Sequence, residues 1–321
     1  MPSRWPSYLV ALVLIVAVNF ALPRLMPGDP LQAIYGGEML VEMTPEAYAA
    51  LERRYGLDRP LAEQFLFYLG RLARGDLGQS YYYGCPVPEV IGGALPWTLL
   101  LAGSAFLLSS LLGMWLGIES GWRRDKAGDR GLLWLLGLVN GLPDFFLGIL
   151  FLLLFGVLLH WFPLFGALTP YAGYTGWALA LDAARHLALP LAVLTLTNLT
   201  DLFLLTRGSM VTVLGERYVL TARAKGLTDR VVRYRHAGRA ALGPVTARLG
   251  VRVGRLVTGA VFVEVVFSYP GIGGLLQDAL AMRDYPLLQG LFLLITVSVL
   301  AANALADYAL VRVDPRAGHA Y

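Results

Sequence analysis

Apolar residues run through this chain in long blocks, and the polar residues collect in the intervals between them. The first block extends from about Tyr8 to Met26, long enough for a bilayer-crossing helix of about 20 residues. It stops at the helix-breaking Pro27-Gly28-Asp29-Pro30. A cleaved signal segment would be shorter and would end in small residues, whereas this block leads through Pro23-Arg24-Leu25-Met26-Pro27, so a retained first helix is expected over 8–26. Further apolar blocks follow at Leu95–Ile118, Gly131–His160 and Leu187–Leu205, then from near Leu249, and a last one follows the loop through Arg283-Asp284-Tyr285-Pro286.

Residues 31–94 break this pattern. They are amphipathic and acidic, with Glu38, Glu42, Glu46, Glu52, Asp58, Glu63, Asp76 and Glu89 among several arginines, and no window is apolar enough to span. Thr44-Pro45-Glu46 reads as an N-cap followed by proline at the first helical position. Phe65, Leu66, Leu69 and Leu72 recur at helical spacing. The pattern therefore predicts an all-α polytopic membrane protein of about six transmembrane helices, with a small extracytoplasmic helical insertion after the first. It forms a single domain over 1–321, with a five-helix core over 95–313 that includes a polar loop at 207–247.

The apolar blocks are interrupted in informative places. Pro143 lacks a backbone donor and kinks the third block, between Asn140 and Asp144. The fourth carries Thr195, Thr197, Asn198, Thr200 and Asp201, a stripe that must face protein or water. In the fifth, Arg248, Arg252 and Arg255 share a face suited to snorkelling, and Glu264 lies near its far end. Asn140, Asp144, Asn198, Asp201 and Glu264 are candidates to line a translocation path, and hydrogen bonding between helices explains them equally well. Trp161, Phe162, Tyr174 and Trp177 mark an interfacial loop on the outer side.

Composition sharpens the membrane reading. Of 321 residues, 57% are hydrophobic and 15% charged, with a mean hydropathy of +0.60. Soluble domains average about 45–50% apolar and about 25% charged, so one globular core could not hide the excess. The net charge of +4 is concentrated in short loops, which argues against nucleic acid as a partner. Arg123, Arg124, Lys126 and Arg130 mark one such loop as cytoplasmic, and an even number of spans then puts both termini in the cytoplasm. Cys85 is the single cysteine, excluding an internal disulfide and a cysteine cluster. His160, His186, His236 and His319 lack ligand spacing, so no metal site is expected. The two lysines follow Asp125 and Ala224, so the Gly-Lys pair of a nucleotide-cradling loop is missing. No His-Glu-x-x-His or Gly-x-Ser-x-Gly stretch suggests an intramembrane enzyme.

The longest basic interval in the second half is Glu216 to Pro244, ERYVLTARAKGLTDRVVRYRHAGRAALGP. Helix formers up to Lys225 and a glycine at 226, free to take positive φ, predict a helix-turn-helix elbow. Its small and basic residues suit docking into another protein. An ordinary positive-inside loop is the other reading of these residues alone.

This stretch resembles the coupling loop of ABC-transporter permeases of the dipeptide/oligopeptide/nickel family, in which a run similar to Thr221-Ala222-Arg223-Ala224-Lys225-Gly226 is followed by Arg235-His236-Ala237. Leu220 and Thr221 depart from the Glu-Ala opening of the wider superfamily, and Gly238-Arg239 stand where a Leu-Pro pair would follow. Met26–Pro30, Gly56–Ser80, the run from Glu264 through Ser268-Tyr269-Pro270-Gly271, Arg283-Asp284-Tyr285-Pro286 and Asp314-Pro315-Arg316 are also similar to that family. The resemblance implies an inner-membrane permease subunit of an ATP-driven peptide importer that contributes half of the translocation path. It implies coupling to ATPases through Thr221, Ala222, Arg223, Ala224, Lys225, Gly226 and Leu227. The implied partners are a homologous second permease, two ATP-binding cassette subunits that hold ATP and Mg, an extracytoplasmic substrate-binding protein and membrane lipid. This chain itself would hold no cofactor. A nickel or other small-solute permease is the alternative within the family, and an ion-gradient-driven secondary transporter the alternative outside it.

Overall fold

The computed structural model describes residues 5–25, 31, 35, 43–249 and 252–313. The Met26–Pro30 breaker, Glu38, Glu42, His319 and Asp314-Pro315-Arg316 lie outside them. Among the described residues every regular element is helical. The chain divides into two compact units, one taking in residues 2–96 and 271–300, the other 97–270 and the chain from 301.

The first unit opens with α1 (Trp5–Leu25). Helix α2 (Pro45–Tyr55) starts as its sequence requires: Thr44 is extended and its hydroxyl accepts from the Ala47 amide at 3.3 Å. It stops at Gly56, whose φ of 67° turns the chain and returns its amide to the Arg53 carbonyl. Helix α3 (Leu61–Leu72) is tied to α1 by Arg24, whose guanidinium lies 3.7 Å from the centre of the Phe20 ring and donates to the Gln64 side chain at 3.0 Å. Helix α4 (Val87–Trp122) begins ahead of the apolar run at Leu95. Val87, Ile91 and Ala94 explain the early start, because they bury one face against α12 (Ile272–Ala281) and the start of α13 (Tyr285–Val313). Asp284, fully buried, caps α13 at the Leu287 amide and also accepts from the Ser80 hydroxyl and the Tyr82 amide, which pins the tyrosine turn at 81–83.

The second unit is organised on α7 (Gly176–Leu214). Helices α5 (Ala127–Asn140), α6 (Asp144–Phe151), α8 (Arg217–Ala224), α9 (229–241), α10 (Gly243–Leu249) and α11 (Arg252–Val266) all pack on it. The most apolar stretch of α7 is 61% buried, against 33% in α4 and 28% in α13. That burial accounts for its polar stripe: Thr195, Thr197, Asn198 and Thr200 are enclosed by protein, as a polar stripe in a membrane helix must be.

Helix α6 is prolonged by a wider, π-helical stretch at Leu152–Leu158. Pro143 does more than kink its block, since α5 and the 144–158 helix meet at 104°, the geometry of a broken span or a re-entrant loop. Pro143 is extended, with ψ at 146°, and starts a new helix through its carbonyl instead of continuing the old one. Among the described residues three helices, α4, α7 and α13, are long and apolar enough to cross a membrane, and the broken pair makes a fourth if it is one span. Helices α1 and α11 stand at the other two positions where the sequence leads one to expect a span.

Contact between α4 and α7 runs through Gly113, Gly117 and Gly121. A Cβ on these glycines would stand 3.1, 2.9 and 3.2 Å from the carbonyl oxygens of Leu199, Phe203 and Arg207. Small residues four apart allow this backbone approach. We expect Gly117→Ala, whose Cβ would meet the Thr206 Cβ at 2.5 Å, to lower Tm in detergent by the equivalent of about 1–3 kcal/mol. Gly137→Ala, with open space around it, should not. Equal Tm for the two variants would contradict the close approach.

Candidate functional site

The basic interval folds as a helix, a glycine turn and a second helix. Helix α8 ends at Ala224, and Gly226, at φ 74°, sends its amide back to the Arg223 carbonyl at 2.9 Å while the chain leaves in a new direction. Thr228 is extended and its carbonyl accepts from Val232, starting α9, whose middle at Val232–Gly238 is widened to π-helical turns.

The elbow has two faces. Val219 and Ala222, three residues apart, turn inward and join Val232, Ala237 and Ala241 with Ile118 of α4 and Met210 of α7 in one buried cluster. Thr221, Arg223, Ala224, Lys225, Gly226 and Leu227 are exposed, whereas Ala222, only 5% exposed, belongs to the elbow's own core. The sequence reading passed over Tyr218 and Leu220, which are 45% and 56% exposed and widen the outer face with apolar surface. The 219/222 spacing was the available signal, because it marks the inner face and leaves these two outside.

Sequence reasoning missed Glu119 and Trp122, which anchor the elbow, and Asp129, which ties together the helix ends beside it. Arg233 donates from one nitrogen to both Glu119 oxygens, at 2.7 and 2.9 Å, and the Tyr234 hydroxyl donates to the same carboxylate. One turn along α4, the guanidinium carbons of Arg223 and Arg233 lie 5.0 and 4.9 Å from the centre of the Trp122 ring. Asp129, at the start of α5, receives Nε and Nη2 of Arg207 at 2.6 and 2.7 Å, together with the Ser120 hydroxyl and the Asp125 amide at 3.0 Å. The Asp129 side chain is 1% exposed, so its charge depends on these donors.

The five polar groups picked out within the spans are not gathered in one place. Asn140 is exposed at the end of α5. Asp144 is half-buried, with a carboxylate oxygen 2.7 Å from where a Cβ on Gly259 of α11 would be, beside Leu194 of α7. Asn198 is buried and donates to the Leu194 carbonyl at 2.8 Å, and its own carbonyl accepts from Arg252 of α11. Asp144 thus lies where α6 meets α11, whereas the Asn198 side chain bonds back to its own helix. Asp201 is half-buried, and Glu264 is fully buried with its carbonyl accepting from the Tyr269 amide at 2.8 Å.

A family model described as the binding-protein-dependent transport system inner membrane component matches residues 109–319. The model of the corresponding N-terminal region matches residues 2–102. The chain belongs to this permease family. The permease is 37% identical over 319 residues to the di/tripeptide transport system permease protein DppB of Pseudomonas aeruginosa, covering 95% of this chain and 94% of the relative. It is 35% identical over 329 residues to the dipeptide transport system permease protein DppB of Escherichia coli K12, with the same coverage. A putative peptide permease protein of Brucella ovis is 38% identical over 311 residues, 96% of this chain and 94% of that one. The permease is therefore a multi-pass membrane protein and one component of a larger transport system.

Removing one partner of a buried pair leaves the other charge stranded, a loss of about 3–5 kcal/mol. We expect Asp129→Ala to approach that loss in detergent unfolding, reduced by the 20% exposure of Arg207. Adding Arg207→Ala should cost less than the sum of the single effects. Additive losses would show that the two side chains do not act as a pair.

Proposed function

We propose that this permease is the membrane subunit of an ATP-driven importer of peptides. It forms half of the translocation path beside a homologous second permease and couples to two separate ATPase subunits through the elbow at 216–244. The peptide substrate is supported by the relatives, whose names specify di/tripeptides, dipeptides or peptides.

Coupling is supported above all by the elbow's outer face. Tyr218, Leu220 and Leu227 offer exposed apolar surface beside Arg223 and Lys225, the combination that fits an apolar groove with acidic residues at its rim. ATP and Mg are held by the ATPases, because neither Lys126 nor Lys225 follows a glycine. The elbow and both termini lie in the cytoplasm, in keeping with the cations of the 123–130 loop. An extracytoplasmic binding protein brings the substrate to the other side. ATP closes the paired ATPases, their movement displaces the elbows of both permeases, and the helix bundles rock between inward- and outward-facing states. By linkage, substrate delivery in turn alters ATP turnover.

The test uses the complete importer in membranes. With Cys85 replaced by serine, a single cysteine at Ala224 should form a disulfide with a cysteine at the rim of the ATPase groove, and ATP should change its yield. Leu220→Asp alters only an exposed position, so folding should shift by no more than about 0.5 kcal/mol, yet this cross-link and peptide uptake should both be lost. No product in a folded complex, or uptake that collapses with the proton gradient while ATP remains, would overturn the proposal in favour of a gradient-driven transporter. Uptake of nickel complexes in place of peptides would overturn the substrate alone.

A further inference from the structure

We propose that Glu119 is the positioning residue through which the elbow's displacement reaches α4. This rests on the reading of the elbow as the ATPase-coupling element.

Both arms of the elbow converge on the last turns of α4. Arg223 comes from the end of α8 and Arg233 from α9, and both guanidiniums lie over Trp122. Arg233 and Tyr234 together grip the Glu119 carboxylate, and Arg123 approaches its other side at 3.4 Å. The widened turns of α9 make this double grip possible. With more residues per turn, consecutive side chains diverge by a smaller angle, so Arg233 and Tyr234 reach the same acceptor.

The apolar cluster beneath cannot do this work by itself. Burial among Val219, Ala222, Ile118 and Met210 is non-directional and fixes the elbow's register on α4 less sharply than a charged contact does. A carboxylate held by a guanidinium and a phenol has direction and register, and it resists sliding. Glu119 and Arg233 are 17% and 18% exposed, enough shielding from water to strengthen the pair. The carboxylate also balances a crowd of cations. Without it Arg123 and Arg233 would both lose their shared acceptor, and Arg223 and Arg233 would still crowd one Trp122 ring. Helix α4 then leads from Glu119 through the glycine contact with α7, so a push on the elbow moves two packed helices together.

The experiment uses the complete importer in proteoliposomes and reads peptide moved per ATP hydrolysed, alongside the Ala224 cross-link to the ATPase. Glu119→Gln keeps the side-chain size and removes the charge. We expect it to assemble and cross-link while the transport-to-hydrolysis ratio falls by about fivefold or more. Arg233→Met, which also removes the stack on Trp122, should lower the ratio at least as far, and the double variant should lose less than the sum because both changes break the same ion pair. Tyr234→Phe removes a single hydroxyl from a partly exposed ring and should cause a smaller loss in the same direction, which keeps the proposal testable if Glu119→Gln does not assemble. An unchanged ratio in assembled Glu119→Gln, or in Tyr234→Phe, or additive losses in the double variant, would overturn it. A wild-type complex without the cross-link would instead sink the docking of the elbow itself.

Discussion

The close approach of α4 and α7 is the contact on which the rest of the permease core depends. Three glycines on α4, at 113, 117 and 121, bring its backbone against the carbonyls of Leu199, Phe203 and Arg207. In hydrocarbon there is no hydrophobic gain in pressing one apolar helix on another, so tight packing and polar contacts carry the association. The approach also sets where α4 ends. Glu119, Ser120 and Trp122 come to lie beside Arg207 and beneath the elbow, and the Asp129 pair closes the corner between α4, α5 and α7.

This arrangement separates two tasks within one short segment. The inner face of the elbow is apolar, buried and continuous with the core, while its outer face is exposed and mixes apolar side chains with cations. A segment loosely attached to its own core would absorb a partner's movement locally. In the proposed coupling, one held by charged hydrogen bonds to a long helix would pass the displacement on. At the other end of the core, the right-angled break at Pro143 sets the Asp144 carboxylate against Gly259 of α11.

Much of this was legible from local chemistry. Thr44 and Pro45 announced the start of α2, Gly226 the turn of the elbow, and Thr195 to Thr200 the burial of α7, while Pro143 announced a kink where the chain in fact breaks. Each of these follows from the conformational limits of one residue or the polarity of one helical face, which act over a few positions. Boundaries were less legible, because the start of α4 at Val87 is fixed by a buried face shared with α12 and α13 and not by an apolar run.

The sequence by itself determined the class of the protein, its helical blocks, its family and the residues of the elbow. Only the tertiary structure decided that the Asp144 carboxylate approaches Gly259 and that Glu119 and Asp129 anchor the elbow's end of the core. The reason is separation along the chain. Arg207 lies 78 residues from Asp129 and Arg233 lies 114 from Glu119, so no local pattern of charge could reveal which cation each carboxylate meets.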